Sequence, residues 1–119
     1  MPTVSGTFTR LWLPVLAWAA VIFAFSSVPD LGTGLGGWDL VLRKLAHAAE
    51  YAALGALLVR ATGRSGLAFA LGTLYAVSDE IHQTFVHGRM GAPLDVAIDA
   101  IGVACGVILW QTIREHRLA

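Results

Sequence analysis

Charge is scarce in this sequence: only 13% of its 119 residues are Asp, Glu, Lys or Arg. A typical soluble domain carries roughly 25%. A chain long enough for just one small domain also has a large surface for its volume, which polar residues must cover. Beside a hydrophobic content of 56%, the deficit leaves an apolar surplus that has to face lipid. Cysteine is nearly missing too, and the single Cys105 excludes an internal disulfide and a multi-cysteine zinc site. Its apolar surroundings predict a buried, inert thiol. Neither sign of charge dominates, with eight Lys plus Arg against eight Asp plus Glu. Without a basic patch interleaved with aromatics, the chain offers nothing to nucleic acid. It also lacks a phosphate-cradling glycine loop and a Gly-x-Ser-x-Gly frame around Ser78.

What is present is a series of long apolar stretches. Residues 11–28 contain no charged side chain and are about long enough to cross a bilayer, with Pro14 tolerated in the first turn. A cleaved signal peptide, with Arg10 as a thin basic region, is the alternative. Residues 29–37 form a turn-rich break, after which Asp39 is expected to cap a helix over 40–59. A polar linker at 61–66 leads to a third helix over 67–85, and a loop at 87–93 to a fourth over 94–113. The fold class this predicts is all-α: an integral membrane four-helix bundle, multi-pass, one domain over residues 1–119. Arg10, Arg60, Arg64, Arg114 and Arg117 flank one side and Arg89 the other, so the positive-inside rule predicts both termini cytoplasmic. The lipid bilayer is the first expected partner. Trp12, Trp18, Trp38 and Trp110 read as interfacial anchors or packing residues, and His87 and His116 as loop and tail residues.

Ionisable residues inside such spans are expensive and have to find one another. Lys44, His47, Tyr51 and Leu54 share one helix face, with Glu50 at its flank. On the third helix Gly72, Tyr75, Asp79, His82 and Gln83 share a face, with Glu80 turned about a quarter circle away. On the fourth, Asp95 and Asp99 continue into Gly102 and Gly106, small residues that permit close helix approach. The up-and-down order puts all three sets at one depth, near the outer face. A shared binding cluster of Lys44, His47, Glu50, Tyr51, Asp79, Glu80, His82, Gln83, Arg89, Asp95 and Asp99 follows.

Two chemistries compete for this cluster. In a structural network, Lys44 and Arg89 offset part of the charge of Glu50, Asp79, Glu80, Asp95 and Asp99, and the remaining acids stay protonated, reach water or bind a cation. In a divalent-metal site, the carboxylate–imidazole pairs His47-x-x-Glu50 and Asp79-x-x-His82 supply ligands, with Glu80, Asp95 or Asp99 as further donors. General acid–base work by His47, Glu50, Asp79 or Glu80 fits the same geometry, so whether the chain is an enzyme stays open. Arg89 suits a phosphate or a carboxylate, or alternatively pairs Asp95 or caps the third helix.

The ordered motifs Lys44-x-x-His47-x-x-Glu50-Tyr51-x-x-Leu54-Gly55, Asp79-Glu80-x-His82-Gln83-x-Phe85-Val86-x-Gly88-Arg89, Asp95-Val96 and Gly102 resemble the VanZ-like family of small bacterial membrane proteins. The resemblance covers about residues 25–107. His87, Ala48 and Asp99 depart from the family pattern, and Asp99 adds an acid to the cluster. What the resemblance implies is a cell-envelope role, with tolerance to the glycopeptide teicoplanin as the name-giving phenotype. The expectation is an outward-facing site for a lipid headgroup or cell-wall precursor. A metal-assisted hydrolase or transferase on an envelope lipid, and an oligomeric ion- or proton-coupled transporter, are the alternatives.

Overall fold

The chain is described by a computed structural model over residues 4–27, 37–85 and 93–118. Among these residues the structure is all helical, with α1 at Val4–Ser26, α2 at Gly37–Thr62, α3 at Ser65–Gln83 and α4 at Pro93–Leu118. Each helix begins before its predicted apolar stretch; α2 and α4 also run past its end, while α1 and α3 stop two residues short of it. α2 starts at Gly37, two residues before the expected capping position at 39. Pro14 sits inside α1 rather than at its start, because α1 begins at Val4.

The linker between α2 and α3 is tighter than predicted. Gly63 adopts φ +69°, a left-handed conformation that glycine takes without steric penalty, and its N–H donates to the Val59 carbonyl at 2.8 Å. The Thr62 hydroxyl donates to the Leu58 carbonyl at 2.9 Å. Arg64, extended at φ −132° and ψ 113°, then starts α3 in the reverse direction.

The closest helix pair is α2 with α4; α3 packs on both, and α1 packs on α2 and more lightly on α3. Small residues explain the α2–α4 contact. A Cβ on Gly102 would stand 3.1 Å from the Ala48 Cα, and one on Gly106 2.8 Å from the Ala52 Cα. Gly55 lies in the same way against the Val103 backbone. With glycines facing alanines one turn apart, the two backbones approach nearly to contact, the geometry of small-xxx-small packing.

Polar bonds attach α1. The Trp18 indole N–H donates to the Glu50 carbonyl at 2.8 Å, and the Tyr75 hydroxyl donates to the Ala19 carbonyl at 2.5 Å. Trp12, Trp18 and Trp110 are partly buried and pack against the core, while Trp38 is exposed.

Burial is inverted relative to a water-soluble domain. Leu74 is 66% exposed and Ile101 64%, whereas Asp79 and Asp99 keep only 3% and 1% of their surface. The apolar core is thin: Tyr51, Ile22, Leu54 and Val103 are its largest fully buried apolar side chains. Cys105 is exposed, contrary to expectation. Gly102, Val103, Gly106 and Val107 occupy the inner side of α4, which turns Ile101, Cys105 and Ile108 outward. By length and composition α1 (over Gly6–Ser26) and α4 (over Pro93–His116) are apolar enough to cross a membrane. In α2 the charges of Asp39, Arg43, Lys44, Glu50 and Arg60 lower the hydropathy, and in α3 the polar end Asp79–Gln83 does.

Candidate functional site

Acids, an imidazole and a phenol meet between α2, α3 and α4. The 3.6-residue helical repeat stacks Lys44, His47 and Tyr51 along one side of α2, and parallel packing with α4 sets Lys44 opposite Asp95 and His47 opposite Asp99. The Lys44 ammonium donates to Asp95 Oδ1 at 2.5 Å, with both side chains partly exposed. One turn deeper, His47 Nδ1 lies 3.5 Å from Asp99 Oδ1. That distance permits an ion pair, but no hydrogen bond is formed. Deeper again, the Tyr51 hydroxyl donates to Asp79 Oδ2 at 2.9 Å in a buried contact. The Tyr75 ring lies 6.2 Å from that of Tyr51 and closes the wall toward α1.

The centre of the cluster is short of donors. Among the described residues, neither oxygen of Asp99 nor Oδ1 of Asp79 receives a hydrogen bond, although all are buried. One donor atom each from His47, Asp79 and Asp99 lies within 4.8 Å of the others. Of the sequence-spaced metal set His47, Glu50, Asp79 and His82, this group contains His47 and Asp79 and replaces the other two with Asp99. His82 is engaged elsewhere: its ring stacks on Phe23 at 4.3 Å between centroids, and Nε2 is 2.9 Å from Ser27 Oγ. Gln83 also turns toward α1, donating from Nε2 to Ser26 Oγ at 3.4 Å. Glu50 is half-buried and lends its backbone carbonyl to Trp18. Glu80, expected a quarter turn off the polar face, is buried. The reason is that α3 packs on both α2 and α4, which widens its inner arc to span Ala76, Asp79, Glu80 and Gln83. Arg89 lies outside the described residues, as does His87, while His116 is exposed on α4.

Sequence reasoning missed Ser26 and Ser27, which tie the end of α1 to the end of α3. Two hydroxyls closing an otherwise apolar run were the available signal. They are small, common and weakly polar, so nothing in the run marks them as partners of His82 and Gln83.

Among the described residues the chain is a small all-α bundle of four helices around a buried polar cluster, and two of its helices, α1 and α4, are long and apolar enough to cross a membrane. The family described as VanZ/LLP1 matches residues 6–114, nearly the whole chain. The chain belongs to that family. No curated protein and no solved structure matches it.

Proposed function

We propose that this chain is a multi-pass cell-envelope membrane protein with both termini in the cytoplasm. In this reading the cluster between α2, α3 and α4 opens outward and receives the polar headgroup of an envelope lipid or a cell-wall precursor. By holding that group, the protein contributes to tolerance of glycopeptides such as teicoplanin.

The observation that carries this reading is the inverted burial. Isolated exposed apolar side chains are ordinary, but here Leu13, Leu16, Phe23, Leu74, Ile101, Ile108 and Leu109 are exposed while Asp79, Glu80 and Asp99 are buried. In lipid the same arrangement is favourable, because apolar side chains face hydrocarbon and ionisable ones face the bundle interior. The partly exposed Lys44–Asp95 pair forms one rim of the cluster and gives it charged, water-reachable groups of both signs. Family membership supports the envelope setting.

The test is complementation of a deletion strain with Glu50→Ala, Asp79→Ala, Glu80→Ala or Arg89→Ala, each checked for normal membrane insertion. Teicoplanin susceptibility is expected to rise to that of the deletion strain. Wild-type susceptibility in all four variants would overturn the headgroup reading.

A further inference from the structure

His47, Asp79 and Asp99 come from three different helices, yet their donor atoms converge within 4.8 Å. Both acids are more than nine-tenths buried, and three of their oxygens receive no hydrogen bond from the described residues. We infer that His47, Asp79 and Asp99 form a binding site for a divalent first-row transition-metal ion. The inference uses the same cluster as the headgroup reading and names what occupies its centre.

Charge is the first reason. An imidazolium at His47 offsets only one of the two buried carboxylates, an expensive arrangement in a low-dielectric interior. A divalent ion with a neutral imidazole offsets both. Geometry is the second. Bonds of about 2.0–2.1 Å place neighbouring tetrahedral ligands about 3.4 Å apart; His47 Nδ1 and Asp99 Oδ1 stand 3.5 Å apart, and the Asp79 side chain, within 4.8 Å of both, closes on the ion when it binds. Outer support is the third. Tyr51 donates to Asp79 Oδ2 and so leaves Oδ1 as the free ligand atom, the role an outer hydrogen bond plays at metal sites.

One imidazole and two carboxylates suit zinc, manganese or iron(II). Calcium, which takes six to eight oxygens, finds too few here. Three protein ligands leave coordination positions open, where an oxygen of a headgroup can bind the ion directly.

The test uses the full chain purified in detergent, stripped with a chelator and titrated with Co²⁺ and with Zn²⁺. Expected are saturable stoichiometric binding, a visible ligand-field spectrum for Co²⁺, and a rise in thermal stability. Asp99→Asn and His47→Gln, which keep nearly the same volume, should abolish binding. Tyr51→Phe should weaken it about 10–100-fold, and His82→Ala should leave it intact. Absence of saturable binding by the stripped wild type overturns the site without recourse to any variant. Full binding by His47→Gln, or a loss in His82→Ala as large as in His47→Gln, overturns the ligand assignment. A wild type that binds no metal while Asp79→Ala still abolishes glycopeptide tolerance removes the ion and spares the headgroup reading; stoichiometric metal with unchanged susceptibility does the reverse.

Discussion

Replacing Gly106 by alanine should destabilise the bundle even though alanine is the better helix former. The added Cβ would lie 2.8 Å from the Ala52 Cα and 2.6 Å from the Ala52 carbonyl carbon. Carbon atoms pack comfortably at about 3.5–4.0 Å, so α4 and α2 would have to separate by about 1 Å. The Ala52 carbonyl oxygen stands nearer still; all three obstructing atoms are helical backbone, and no side-chain rotation relieves the clash. Overpacking of this kind costs about 1–3 kcal/mol, while alanine returns up to about 1 kcal/mol of helix propensity. The net expectation is a loss of about 1–2 kcal/mol. Gly66→Ala supplies the contrast, because a Cβ there meets nothing within 4 Å in the first turn of α3. It should be neutral or gain a few tenths of a kcal/mol. Reversible unfolding of both variants in mixed micelles, followed by circular dichroism, measures the difference. Equal midpoints for Gly106→Ala and Gly66→Ala would refute close α2–α4 packing.

The lone thiol gives a second prediction: Cys105 faces outward on α4, so in intact membranes a charged maleimide should leave it unlabelled and should label it after solubilisation in SDS. Rapid labelling in vesicles permeabilised to the reagent but not solubilised would show that this face of α4 meets water. Tyr51→Phe strips Asp79 Oδ2 of its buried donor, for a loss of about 1–3 kcal/mol in the same unfolding assay; an unchanged midpoint would mean that the hydrogen bond contributes nothing. In a double-mutant cycle of Lys44→Met and Asp95→Asn, a coupling of about 0.5–3 kcal/mol is expected, and additive effects would dissolve that pair.

The sequence by itself determined the helices and their polar faces. Low charge, long apolar runs and glycine-bearing breaks leave a chain of this length few alternatives to a bundle of helices, and the repeat places Lys44, His47 and Tyr51 on one side of α2. Gly102 and Gly106 announced a close helix contact in the same way. What periodicity cannot supply is the rotation and partner of each helix. Only the packed bundle decided that His47 faces Asp99 rather than pairing along its own helix with Glu50, and that Asp79 is held by Tyr51. It likewise sent His82 and Gln83 to Ser27 and Ser26 on α1, brought Glu80 inside and turned Cys105 out. The physical reason is that a residue's position within a helix is fixed by local hydrogen bonds, whereas the group it meets is chosen by which ridges and glycine gaps let two backbones approach.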